Sequence, residues 1–247
     1  LSRLLFILLI SVSLFCNAKP LTAKSWVVSD TNGKIYDSQN IDEVRPIASI
    51  TKLLTILTVL DAKQDPTEVL TLSTKLRDKL PRKNQKVTRR ALIEMALVSS
   101  DNRASLTLCE NYPNGYDACI AAMNNKAKLL GMVNTSIVEP TGLDRNDVST
   151  ARDLITLARD AMTYKEVTEF SREYQTRILV NDSWVSFTNT NPLVEKNHNI
   201  VVSKTGWTFP AGGCLIMTIN DRIIIVLGSR STKTRIPEAE QLFHQFN

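Results

Sequence analysis

The chain has 247 residues, 43% of them apolar and 22% charged, with a formal net charge of +5. That length suits one α/β unit of two lobes and is cramped for two independent domains, and the composition excludes a disordered or fibrous chain. Basic residues gather between Lys75 and Arg90, where only Asp78 is acidic; such a run reads as a solvated face rather than a nucleic-acid surface.

Leu1 to Ala18 stands apart. Arg3 precedes an apolar run from Leu4 to Phe15, followed by Cys16-Asn17-Ala18. A positive start, an apolar core and a small residue at the cut are the three parts of a secretory signal. The expected domain layout is therefore a signal peptide over 1–18 and one folded domain over 19–247, periplasmic, with membrane association at most peripheral. The run is short for a membrane span, and Phe15 is bulky where a lipidated Cys16 would want a small neighbour.

Ser25 to Asp30 alternates as a strand, Asn32-Gly33 is a hairpin signal, and Lys34 to Ser38 is the partner strand. Ser49 to Ala62 is apolar with threonines and lacks Gly and Pro, so it predicts a helix buried on most sides. Its polar stripe is Ser49, Lys52 and Thr55, spaced by threes on one face. The middle is mostly helical, a lobe expected over roughly 63–180. Thr88 can cap a helix from Arg89 to Val98, and Ser99 to Asn102 can cap the next. Tyr116 to Leu130 is another helix, stopped by Gly131. Thr150 to Asp153 resembles a capping box that opens a helix to about Met162. Asn199 to Thr205, Gly212 to Ile219 and Arg222 to Gly228 are β-branched, apolar strands, and Glu238 to Phe246 closes as a helix. Two strands, a helical middle, three strands and a final helix predict an antiparallel sheet flanked by helices, with the helical lobe inserted between its halves.

Three motifs stand in order: Ser49-Ile50-Thr51-Lys52, Ser100-Asp101-Asn102 and Lys204-Thr205-Gly206. Each is weak alone; together, at element boundaries, they are the set of penicillin-binding proteins and class A β-lactamases. Their chemistry can be argued from the residues. A serine hydroxyl is a poor nucleophile until a base takes its proton. Lys52, one turn on, can be that base when its amine is neutral, a state favoured by burial and by a nearby cation such as Lys204. Ser100 can relay a proton, and Asn102 can hold Lys52 and a substrate amide. The strand edge at Thr205 and Gly206 can pair with a peptide. The backbone N–H groups of Ser49 and Trp207 are candidate oxyanion donors. Neither His198 nor His244 sits in a triad-like context. No zinc spacing, phosphate loop or dinucleotide fingerprint is present, so no metal or cofactor is expected.

The longer context resembles the low-molecular-mass penicillin-binding proteins, and most closely the D-alanyl-D-alanine endopeptidases of the penicillin-binding protein 7 type. The similar stretches are Arg45 to Thr55, Ser99 to Ala104, Tyr112 to Tyr116, Gly131 to Thr135, Glu139 to Leu143, Ser149 to Leu154, and Lys204 to Thr208 followed by Ala211 to Leu215. The resemblance implies a β-lactamase/transpeptidase-like fold with a five-stranded antiparallel sheet and an all-helical inserted lobe. It implies hydrolysis of D-Ala–diaminopimelate cross-links between peptidoglycan stem peptides through an acyl-Ser49 intermediate, with β-lactams as covalent inhibitors. By the same resemblance the catalytic residues are Ser49, Lys52, Ser100, Asn102 and Lys204, with Thr205 and Gly206 on the substrate; Trp207 departs from the family's usual residue and is placed on the substrate by its backbone N–H, and a monomer is expected. A D-alanyl-D-alanine carboxypeptidase and a non-hydrolytic β-lactam sensor remain alternatives. A class A β-lactamase needs a Glu-x-x-Leu-Asn context for its deacylating water; Glu166 is followed instead by Val167-Thr168-Glu169-Phe170. Cys109 and Cys119 flank the turn Asn111 to Gly115, and either a disulfide or two buried thiols fits there. Cys214, in an apolar strand, reads as a small core residue. Arg152 is a cation for a substrate carboxylate only if its helix-start position is not structural.

Overall fold

The computed structural model describes residues 20–76, 84–197 and 199–246. The expected signal peptide, part of the basic run and His198 lie outside them. Eleven strands and eight helices occur among the described residues. The strands are β1 (Ser25–Asp30), β2 (Ile35–Gln39), β3 (Arg45–Pro46), β4 (Val69–Thr71), β5 (Lys86–Thr88), β6 (Val148–Ser149), β7 (Gln175–Val180), β8 (Ser183–Thr188), β9 (Ile200–Thr208), β10 (Gly212–Ile219) and β11 (Arg222–Ser229). The helices are α1 (Thr51–Asp61), α2 (Arg89–Val98), α3 (Asn102–Glu110), α4 (Tyr116–Leu129), α5 (Ala151–Ala161), α6 (Lys165–Phe170), α7 (Leu193–Lys196) and α8 (Arg235–Gln245). None of these helices is long and apolar enough to cross a membrane.

Five strands form one antiparallel sheet in the order β2-β1-β11-β10-β9. β1 and β2 come from the start of the chain and β9 to β11 from its end, so the intervening chain is an insertion, as the element order predicts. The unbroken apolar run of β11 follows from burial on both faces. Ile223, Ile225 and Leu227 join the core shared with α1 and the helical lobe, while Ile224 and Val226 join the core under α8. Alternating side chains leave a strand on opposite faces, so a strand covered twice loses the polar half of its alternation. β10 splits in the same way, with Cys214 and Ile216 on one side and Leu215 and Met217 on the other.

The lobe is not all-helical. It carries two ribbons, β4–β5 and β7–β8. The latter is a hairpin of two six-residue strands turning at Asn181, whose φ of +52° suits the turn. Its exposed face mixes Gln175, Arg177, Ser186 and Thr188 with Leu179 and Trp184, so neither an apolar run nor a clean alternation marks the ribbon in the sequence.

Helix starts follow the side chains that cap them. Thr88 Oγ1 accepts from Ala91 N, and Asp101 Oδ1 accepts from Ala104 N at 2.8 Å; each cap satisfies an otherwise orphaned N–H. At α5, Thr150 Oγ1 accepts from Asp153 N, but the returning half of the capping box does not form. The Asp153 carboxylate instead accepts from Asn134 N and Thr135 Oγ1, each at 2.8 Å, tying the chain after α4 to α5. Cys109 and Cys119 form a disulfide, Cα–Cα 5.3 Å, joining α3 to α4.

Candidate active site

α1 is the pivot. Leu53, Leu54, Ile56 and Leu57 are fully buried, and each contributes about 1.5–3 kcal/mol relative to exposure. The helix is entered through a single 3-10 turn at Ala48–Ile50, which holds Ser49. Ala48 takes φ +49°, a left-handed conformation that costs an alanine about 1–3 kcal/mol unless its surroundings impose it. Two glycines do so. A Cβ on Gly142 would lie 1.9 Å from Ala48 O, and one on Gly206 would lie 2.8 Å from Ser49 N. Main chain from two remote segments therefore clasps the turn directly, with no side chain between.

Lys52 is fully buried, and its ammonium nitrogen reaches three oxygens: Ser49 Oγ at 2.8 Å, Asn102 Oδ1 at 2.7 Å and the Thr141 carbonyl at 2.6 Å. Two of the three are carbonyl-type acceptors, which only accept. The third is a hydroxyl, which accepts or donates. An ammonium donates to all three. A neutral amine donates to the two carbonyls and turns its lone pair to the Ser49 hydroxyl. The two carbonyls thus aim the lone pair without regard to which residue holds the proton.

A second lysine lies opposite. Lys204, on β9 and almost fully buried, donates to Ser100 Oγ at 2.8 Å and to the Thr205 carbonyl at 2.9 Å. Its pKa is pushed well below the usual lysine value, first by burial and then by the charges of Lys52 and Arg235. Ser100 takes φ +61° in the break between α2 and α3, which turns its side chain out of both helices; Asp101 behind it caps α3, which begins at Asn102. Thr205 Oγ1 is 2.7 Å from Thr190 Oγ1, and Thr190 N donates to Val98 O at the end of α2. Arg235 of α8 donates to the Gly206 carbonyl at 2.6 Å, fixing β9 from behind.

All the residues singled out from the three motifs therefore meet at one place. β9 is an edge strand, and Trp207 on it is about half exposed (48%). Sequence reasoning missed the Thr141 carbonyl, Gly142, Thr190 and Arg235. Pro140-Thr141-Gly142 is a turn signature and was a usable signal; a carbonyl ligand, a lone threonine and a helix-start arginine carry none. Arg152 is bound by Asp42 through two nitrogens and is not part of the site. Cys214 is fully buried, and burial raises its thiol to about 11, which leaves it inert as a nucleophile.

The model of the D-alanyl-D-alanine carboxypeptidase family, peptidase S11, matches residues 15–230. The chain belongs to the S11 peptidases. Among curated members of that family, the D-alanyl-D-alanine endopeptidase of Pseudomonas aeruginosa is 40% identical over 90% of this chain and 76% of its own length. The corresponding endopeptidase of Escherichia coli is 38% identical over the same shares. Of solved S11-like structures, penicillin-binding protein D2 of Listeria monocytogenes in its ampicillin-bound form superposes with a TM-score of 0.82 at 30% identity, covering 92% of this chain and 98% of that one. A Streptomyces K15 DD-transpeptidase variant, 22% identical with a TM-score of 0.81, shares the fold. The expected transpeptidase-like fold is thereby established.

Proposed function

We propose that this S11 peptidase is a serine DD-endopeptidase that hydrolyses D-alanyl cross-links of peptidoglycan through an acyl-Ser49 intermediate and is inhibited by β-lactams. The observation that carries the reading is the Lys52 nitrogen, held by two carbonyls 2.6 and 2.7 Å away and 2.8 Å from Ser49 Oγ. Lys52 takes the Ser49 proton as the oxygen attacks the D-alanyl carbonyl. The negative charge that develops on that carbonyl oxygen is met by the N–H groups of Ser49 and Trp207. The substrate strand lies along the free edge of β9 at Thr205 and Gly206. The proton that Lys52 took reaches the leaving amine through Ser100, which Lys204 holds at 2.8 Å, so Lys52 is neutral again once the amine departs. Water then repeats the sequence on the acyl-enzyme, with Lys52 as base and Ser49 as leaving group.

The signal-like Leu1 to Ala18 segment and the Cys109–Cys119 disulfide both support a periplasmic location, since such bonds persist in oxidising compartments. The test is digestion of purified cross-linked peptidoglycan, with a Ser49→Ala control, read by mass spectrometry of the muropeptides. Loss of cross-linked dimers with matching gain of monomers, absent from the control, is expected. The description of the matching family favours a second reading, a carboxypeptidase, and that reading requires pentapeptides shortened by one alanine while dimers persist. Unchanged muropeptides with Ser49 still labelled by penicillin would leave only a sensor.

A further inference from the structure

The segment 138–147, between α4 and β6, delivers two main-chain groups to the site: the Thr141 carbonyl on Lys52 and the Gly142 backbone against Ala48. Neither contact is held by regular secondary structure. What shapes the segment is a pair of carboxyls. Glu139 accepts from Thr141 N at 2.9 Å, from Thr141 Oγ1 at 2.7 Å and from Leu143 N at 2.6 Å, closing the turn that points the Thr141 carbonyl inward. Asp147 is fully buried, and its Oδ1 accepts from Val138 N at 2.7 Å and Glu139 N at 3.2 Å. The Asp147 carbonyl accepts from Ile47 N at 3.0 Å, next to the strained Ala48. Asp147 Oδ2 meets no N–H or O–H donor, while its side chain lies within hydrogen-bonding range of the Glu139 carboxyl.

Two carboxyls that share a hydrogen bond need one proton between them. The orphaned Oδ2 of Asp147 identifies where that proton sits. We propose that Glu139 and Asp147 are positioning residues of the acylation step: a proton-sharing carboxyl pair that holds the 138–147 turn, and through it the Thr141 carbonyl that aims Lys52 at Ser49. The inference rests on the acyl-serine reading of the site. Burial pushes the Asp147 carboxyl up to about 8, with the neighbouring Glu139 charge adding to the rise against the two N–H donors. From α4, the Tyr116 phenol feels both carboxyls: it is held up first by burial and then by the charges of Glu139 and Asp147. Below about pH 8 the pair keeps its proton. Above it, the buried Asp147 carboxylate and the half-buried Glu139 carboxylate repel and the turn loosens.

Asparagine at 147 is the discriminating variant. Its oxygen accepts the same two N–H groups, and its amide donates to Glu139 as the carboxylic acid does, but it never ionises. Acylation by a fluorescent penicillin, resolved into binding (K) and acylation (k2) from pH 6 to 10, separates this inference from the one beneath it. If the wild-type protein is not acylated, the serine-enzyme reading fails first. With wild-type acylation intact, Asp147→Ala and Glu139→Gln are expected to lower k2 by about ten-fold or more with K little changed, since misaimed catalytic groups lose rate rather than binding. Asp147→Asn is expected to keep k2 within about three-fold at pH 7 and to move the alkaline limb of k2 upward. Equal losses in Asp147→Ala and Asp147→Asn, or an alkaline limb that Asp147→Asn leaves in place, would overturn the proposal. So would unchanged k2 in Glu139→Gln. Should Asp147→Ala fail to fold, the other two variants, compared at matched melting temperature, give the same decision.

Discussion

The closest contact in the site between the nucleophile turn and the strand edge is main chain on main chain, and a single methyl group tests it. In Gly206→Ala the new Cβ would sit 2.8 Å from Ser49 N, 3.0 Å from Ala48 Cβ and 3.1 Å from Ile47 O. Ordinary contact for such atoms is about 3.5 Å, so β9 and the turn must separate by roughly 0.5–0.7 Å. The turn cannot recede easily, because a Cβ-less Gly142 already presses on Ala48 from elsewhere, and Arg235 holds the Gly206 carbonyl from behind. A misplacement of 1 Å costs on the order of 10²-fold in rate; the smaller shift is therefore expected to lower k2/K for a fluorescent penicillin by roughly 10- to 30-fold, or about 1.4–2 kcal/mol of transition-state stabilisation. The overpacking lowers stability by about 1–3 kcal/mol as well, so the rate is measured well below the melting temperature. A Gly206→Ala protein that folds, melts near wild type and acylates within two-fold of it would refute the claim that this contact sets the spacing between nucleophile and strand edge.

Three further outcomes are expected. Replacing both Cys109 and Cys119 by serine opens a loop with a sequence separation of 10; chain entropy puts the loss at about 3 kcal/mol, seen as a fall in Tm of roughly 5–10 °C, and an unchanged Tm would mean that α3 and α4 are held by packing alone. Thr150→Ala removes the cap of α5 and is expected to cost about 1 kcal/mol by urea denaturation without changing penicillin acylation. Lys204→Met probes pH. The folded pKa of Lys204 is depressed, so its contribution to stability is complete above the unfolded lysine value near 10.4 and falls as pH falls through the window towards the folded value. The variant should therefore gain in Tm relative to wild type as pH drops from about 10 to 7, while losing acylation; a pH-independent difference would contradict the depressed pKa.

What was legible in the sequence is what depends on short spacings. Ser49 and Lys52 lie one turn apart on a helix that must be buried, so their contact follows from periodicity. Asp101 and Thr150 announce the helices they cap. The apolar runs of β10 and β11 were enough to place the sheet, because both of their faces are covered. Solvated structure left a fainter trace: the exposed face of β7–β8 mixes polar residues with Leu179 and Trp184, and the ribbon was absorbed into the helical lobe. The supports of the site were hidden for another reason. Lys52 is aimed partly by the Thr141 carbonyl, and a backbone oxygen has the same identity at every residue. Glu139 and Asp147 acquire their meaning from mutual proximity and burial, which no local spacing encodes. The half-formed capping box shows the same limit, since Asp153 was claimed by Asn134 and Thr135 rather than by its own helix.

The pairs that make the site are far apart along the chain: Lys52 with Asn102 by 50 positions, Lys52 with Thr141 by 89, and Lys204 with Ser100 by 104. No fragment of the polypeptide can assemble the reactive serine ahead of the rest, because the last strands must dock before β9 reaches the turn. A newly made chain is therefore chemically silent until late in its folding. A penicillin pulse applied during refolding would then count completed molecules one by one, making the covalent tag a clock for the final docking of β9 rather than a measure of hydrolysis.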